Sequence, residues 1–168
     1  DLGDKTTYEW FVSNPINNYN VSVQIGNYVA VQDTFVKNSE THFMNHYVLD
    51  YNQELASNFF PQSKEVIRFY EEYFGDYQWY EDGYKLVEVP YLGMEHQSAV
   101  TYGNGFSMYN GVRSKSWPMY GVIDPLIMHE TGHEWFGNSV TASDPTHIWI
   151  HEGLQVYSES IYFEDKFD

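Results

Sequence analysis

His129-Glu130-Thr131-Gly132-His133, with Glu152 after eighteen further residues, supplies the side chains of a metal-dependent hydrolase. Two His residues four positions apart share one face of a helix, because a turn takes about 3.6 residues. Both imidazoles can therefore bind one ion. Two His and one carboxylate leave one of zinc's four positions open, which is the pattern of catalytic rather than structural zinc. Glu130, between the two His, can take a proton from a metal-bound water. The composition of the motif predicts a single Zn2+, with His129, His133 and Glu152 as ligands and Glu130 as general base. The plainer alternative is a buried helix whose His residues only satisfy hydrogen bonds, beside a solvated Glu152.

Two helices must position these groups. Asp124-Pro125 is a helix-start signal, Asp as N-cap and Pro at the first helical position. Leu126, Ile127, Met128, Trp135, Phe136 and Val140 surround the motif with apolar residues, and Gly137-Asn138 marks an end. The spacing predicts a helix over residues 125–139. Asp144-Pro145 marks a turn, and a second helical pattern follows over residues 148–163, with Ile150, Leu154, Val156, Tyr157 and Ile161 as its apolar positions. A short connection would bring Glu152 against the two His. Gly153 offers no side chain to obstruct close helix packing.

The wider motif resembles the aminopeptidase N family of gluzincins. Residues from His129 to Val140 are similar to its H-E-x-x-H-x-W-F-G-N-x-V signature, and Trp149-Ile150-His151-Glu152-Gly153-Leu154 is similar to its W-L-N-E-G-F segment. Upstream, Gly93-Met94-Glu95-His96-Gln97 resembles the exopeptidase motif G-A-M-E-N, and the three come in the family's order. The resemblance implies that Glu95 holds the free α-amine of a peptide substrate. It also implies that the backbone of Gly93 and Met94 pairs with that substrate as an edge strand. His96 stands where the family has Asn, and Leu92 and Gly93 where it has Gly and Ala, so side-chain preference stays open. His96, next to Glu95, is a candidate to line the site. The family's transition-state Tyr is expected beyond Asp168, so the chain is expected to be part of a longer enzyme.

Residues 5–50 carry β-branched and aromatic runs at Tyr8–Val12, Val21–Ile25, Tyr28–Val31 and Met44–Leu49, which predict strands. Gly26-Asn27 predicts a hairpin turn between two of them. Pro61–Tyr73 reads as a helix stopped by Gly75, Tyr84–Val89 and Gln97–Tyr102 as strands, and Asn110-Gly111 as a turn. The fold class expected is α+β. Residues 1–49 would be strands ending a preceding β domain, and 50–168 the start of a thermolysin-like zincin lobe with a small sheet and two zinc helices.

The 168 residues hold 24 acidic against 8 basic side chains and no Cys. A net charge of −16 opposes nucleic-acid binding and favours cationic ligands, including a peptide amine. The absence of Cys excludes a disulfide framework and a thiol nucleophile. No run of eighteen apolar residues predicts a membrane span. The pairs His147/His151 and His42/His46 repeat the four-residue spacing but lack the central Glu, so they read as structural. Glu134 is expected on the surface, pointing away from the metal. Glu159, seven residues after Glu152, could orient a ligand from behind. Asn20-Val21-Ser22 matches a glycosylation acceptor. Three readings compete: a zinc aminopeptidase, a zinc endopeptidase in which Glu95 is only a strand-edge carboxylate, and a non-catalytic module that holds peptide termini.

Overall fold

A computed structural model describes residues 3–106 and 123–167 of the chain. The expected turn at Asn110-Gly111 lies outside them. The architecture is mixed α and β, built on one five-stranded sheet.

Strands β1 (Tyr28–Lys37) and β2 (Glu40–Leu49) form an antiparallel hairpin in continuous register from Tyr28↔Leu49 to Lys37↔Glu40. The two-residue loop is Asn38-Ser39, with φ of 50° and 68°. Two left-handed residues in succession are what a tight hairpin turn matched to strand twist requires. Gly26-Asn27 is not that turn, and Tyr8–Val12 and Val21–Ile25 form no strand among the described residues. Val21, Val23 and Ile25 remain exposed, so their alternation finds no sheet to pack on.

Residues then turn through α1 (Gln53–Phe59) into α2 (Ser63–Phe74), which buries Val66, Ile67, Phe69 and Tyr70 along one face. Gly75, at φ 92°, stops α2 where an L side chain would be strained. Strand β3 (Lys85–Glu88) then pairs in parallel with β2, and β5 (Ala99–Tyr102) pairs in parallel with β3. Between them in sequence, β4 (Gly93–Met94) lies antiparallel to β5 and forms the sheet edge, giving the order β1-β2-β3-β5-β4. The strands on either side of position 49 thus belong to one sheet. At Asp50 strand gives way to helix.

Inward-facing Val31, Phe35, Met44, Val48, Leu86 and Val100 meet Phe60, Ile67, Tyr70 and Ile127 in the core. Each such side chain, fully buried, contributes on the order of 1.5–3 kcal/mol of transfer free energy. Helix α3 (Pro125–Gly132) is buried on nearly every side, and α4 (Trp149–Phe167) packs beside it. Helix α4 buries His151, Gln155, Ser158, Glu159 and Tyr162, while Val156 and Tyr157 face outward. The expected apolar stripe is therefore not its inner face; a polar seam is. No described helix is long and apolar enough to cross a membrane.

Candidate metal centre

Helix α3 begins at Asp124, which is completely buried. Its Oδ1 accepts from the N–H groups of Leu126 (2.7 Å) and Ile127 (3.1 Å), closing orphan donors of the first turn. Its Oδ2 accepts from Tyr102 Oη and Asn104 Nδ2, both at 3.0 Å, tying the helix start to the end of β5.

The helix ends at Gly132, earlier than the spacing predicts. Gly132 sits so close to α2 and α4 that a Cβ there would lie 2.0 Å from Gln155 Oε1 and 2.1 Å from Tyr70 Oη. Tyr70 Oη donates to Gln155 Oε1 (3.0 Å), and Gln155 Nε2 donates to the Met128 carbonyl (3.2 Å). These bonds fix α4 against α3. Gly153, by contrast, is exposed and meets nothing closer than 3.9 Å, so it is not the glycine that lets the helices approach.

The result is a tight triangle of donor atoms. His129 Nε2 and His133 Nε2 lie 3.3 Å apart, and Glu152 Oε2 lies 3.5 Å and 3.8 Å from them. Bonds of about 2.0–2.1 Å to a tetrahedral zinc would put neighbouring ligand atoms about 3.3–3.4 Å apart. The three atoms thus fit a tetrahedral ion with only small adjustment. The other ring nitrogens are already committed. His129 Nδ1 is 2.7 Å from Glu159 Oε1, and His133 Nδ1 is 2.8 Å from the Phe136 carbonyl oxygen. Such partners fix the tautomer that leaves Nε2 free for a metal. His133 is buried and Glu152 is 52% exposed, so the triangle opens on the Glu152 side. Burial opposes the charged form of His129, but the hydrogen bond and charge of Glu159, with Glu130 and Glu152, outweigh it and raise its pKa. Burial, then the adjacent His129, lowers that of His133.

A second group adjoins the first: Glu95, Glu130 and His133 place one donor atom each within 4.8 Å of one another. Glu95 and Glu130 are both buried. Gly93, on edge strand β4, makes room for Glu130, whose Oε1 would lie 3.0 Å from a Cβ at that position. Met94 is the other residue of β4. The His96 ring is buried; burial lowers its pKa, and it joins neither donor group.

Glu134 is not a surface carboxylate. It is buried, its Oε1 accepts from the Ser98 N–H (2.7 Å), and its Oε2 accepts from Asn138 Nδ2 (3.1 Å). Burial pushes its pKa up to about 8. It lies four residues after the buried Glu130, on the same side of the turn that continues α3. Asn20 is buried too and donates to Asn138 Oδ1 (2.8 Å), which leaves no room for a glycan on its side-chain nitrogen. The spare His pairs are structural in their contacts. His46 Nδ1 accepts from the Leu86 N–H (2.9 Å), His42 lies 3.9 Å from the Tyr80 ring, and His151 Nε2 accepts from the Ala142 N–H (2.9 Å).

Residues 58–168 match the Peptidase family M1 domain. The chain is 32% identical over 118 residues to endoplasmic reticulum aminopeptidase 2 of Bos taurus, covering 63% of this chain and 12% of that one. It is 27% identical over 158 residues to glutamyl aminopeptidase of Rattus norvegicus, covering 92% of this chain and 16% of that one. The chain thus spans between 12% and 16% of the length of these relatives. Among solved structures it resembles an M1 zinc metallopeptidase from Deinococcus radiodurans, with a TM-score of 0.61 at 18% identity over 84% of this chain and 29% of that one. Legionella pneumophila aminopeptidase A, solved with aspartic acid, gives 0.66 at 18% identity over 84% of this chain and 17% of that one. At such identities the likeness is one of fold.

Proposed function

Since the chain belongs to peptidase family M1, we propose that it carries the metal and amine sites of a zinc aminopeptidase that hydrolyses N-terminal peptide bonds. On this reading the sheet and helices are the first lobe of a thermolysin-like catalytic domain. The observation that carries the proposal is the triangle of His129 Nε2, His133 Nε2 and Glu152 Oε2, with sides of 3.3, 3.5 and 3.8 Å. These residues would hold one zinc ion. When bound, the ion supplies an acidified water and a Lewis acid for the scissile carbonyl.

The protein's own groups do the rest. Glu130 accepts the proton of the attacking water and delivers it to the leaving amine. Glu95, grouped with Glu130 and His133, binds the substrate's α-ammonium, so cleavage falls one residue from the end. Gly93 and Met94 offer the substrate backbone an edge of the sheet, since among the described residues β4 pairs with β5 alone. His96 is buried beside Glu95 in this segment. The net charge of −16 adds a field that attracts a cationic peptide terminus.

Two measurements test the reading. Metal analysis of the purified protein is expected to find one zinc per chain, lost in His129→Ala and Glu152→Ala. Zinc retained in both variants would remove the ligand assignment. A peptide is then compared with its N-acetylated form. With the full-length enzyme, faster cleavage of the free amine is expected, whereas equal cleavage would favour the endopeptidase reading and zinc-loaded full-length enzyme with no turnover the non-catalytic one.

A further inference from the structure

The turn from His133 to Val140 reaches both halves of the site. Its Phe136 carbonyl oxygen lies 2.8 Å from His133 Nδ1, which orients that imidazole. Its Asn138 side chain reaches the opposite way: Nδ2 donates to the Glu95 carbonyl (3.0 Å) and to Glu134 Oε2 (3.1 Å). Glu134 Oε1 in turn accepts from the Ser98 N–H (2.7 Å). Asn138 Oδ1 accepts from Asn20 Nδ2 (2.8 Å) and Tyr19 Oη (3.4 Å), so the whole amide is engaged. Glu95, Ser98, Glu134 and Asn138 are all buried.

The segment held in this way is also tied by the Gln97 side chain to the Pro15 carbonyl (3.0 Å). After the two residues of β4 the chain makes a tight return, with the His96 N–H bonded to the Met94 carbonyl (3.0 Å) and the Ala99 N–H to that of His96 (2.9 Å). Ser98 sits at φ 59°, a left-handed conformation that a non-glycine residue keeps only when its surroundings impose it. The Glu134 carboxyl on its N–H is such a constraint. A buried carboxyl is costly unless hydrogen-bonded, and Glu134 takes its bonds from the Ser98 N–H of this return and from the Asn138 amide that also holds the Glu95 carbonyl.

We propose that Glu134 and Asn138 are positioning residues: without touching substrate or metal, they hold the main chain at the Glu95 carbonyl and at Ser98, so that the Glu95 carboxylate faces the α-amine site. The inference rests on the aminopeptidase reading above and adds to it that one turn sets both the His133 ring and the Glu95 backbone. A displacement of about 1 Å in a positioning group can lower turnover by about a hundredfold.

The test uses the zinc-loaded enzyme and measures kcat and KM for an amino-acid amide reporter and its N-acetylated counterpart. Asn138→Ala is expected to keep its zinc and to lose about tenfold to a hundredfold in kcat/KM for the free amine. Most of that loss should appear in KM, and the blocked reporter should be little affected. In the double variant Glu95→Ala/Asn138→Ala the loss should not exceed that of Glu95→Ala alone, because groups acting as a unit are not additive. Additive losses, or an unchanged preference for the free amine in Asn138→Ala, would overturn the proposal. If Asn138→Ala does not fold, the isosteric Glu134→Gln, which keeps an acceptor for Ser98, is put through the same comparison and judged by the same outcomes. Wild-type enzyme with no preference for a free amine would instead sink the aminopeptidase reading and this role with it.

Discussion

At the scale of residues, the proposed chemistry divides among carboxylates that differ mainly in surroundings. Glu152 is half exposed and faces two imidazoles, Glu130 is buried beneath β4, and Glu159 is buried behind His129. Glu130→Gln keeps the volume but cannot accept a proton, so it is expected to retain zinc while kcat falls by about 10²–10⁴-fold. Full activity with bound zinc would remove the base assignment. Glu159→Gln keeps an acceptor near His129 Nδ1 but removes the charge. Zinc affinity, measured by competition with a chelator, is expected to weaken by about 10–100-fold. An unchanged affinity would mean that Glu159 serves packing alone. The grouping of the two His with Glu152 could be read from spacing, because the four-residue interval and the two helix starts at Asp124 and Asp144 limit where the side chains can go. The inward course of Glu134 could not. It depends on partners outside the motif, above all the Ser98 N–H that meets its carboxyl across the fold.

At the scale of elements, two glycines near the site make opposite predictions. Gly132→Ala forces a methyl into Tyr70 and Gln155 and is expected to destabilise the fold by about 1–3 kcal/mol or more. Gly153→Ala lies on an exposed helix face with open space and is expected to stabilise α4 by about 0.5–1 kcal/mol. Urea unfolding of both variants checks the pair, and a reversed order would mean that the α2–α3–α4 contact is misdescribed. Helix α2 and the strands β3 and β5 are legible to within a few residues, since their apolar positions match the faces they bury, whereas α3 ends seven residues before the expected 139 and α4 buries a polar seam in place of its expected apolar stripe. The early strands are not legible. Tyr8–Val12 and Val21–Ile25 have strand-like composition, but composition does not supply a pairing partner. The true hairpin turn, Asn38-Ser39, escaped notice because Ser is an uncommon residue in a left-handed position.

At the scale of the whole molecule, the sheet hangs partly on a neutral histidine. His46 is buried on β2, and its Nδ1 accepts from the Leu86 N–H of β3. Protonation would destroy that acceptor, and burial lowers the pKa from 6.5 to about 4. Between those values the unfolded chain takes up a proton that the folded chain refuses. Stability from this group is therefore complete above pH 6.5 and falls as the pH drops towards 4, by about 3 kcal/mol in all. Urea midpoints at pH 7 and pH 5 should show the decline, and His46→Leu should show less of it. An identical pH slope in the two proteins would assign the decline to other groups.

The polar seam beneath α4 has a consequence for how the protein breathes. A helix docked through His151, Gln155, Ser158 and Glu159, with Tyr162 as its aromatic anchor in the core and Val156 and Tyr157 turned outward, depends heavily on matched polar partners. Slipping by one turn would orphan several buried groups at once, so the helix either sits in register or comes away. Amide exchange along α4 should accordingly report an opening well below the free energy of global unfolding. Because such an opening separates Glu152 from His129 and His133, an ion held by all three would act as a latch, slowing exchange in α4 while leaving that of the central strands almost untouched.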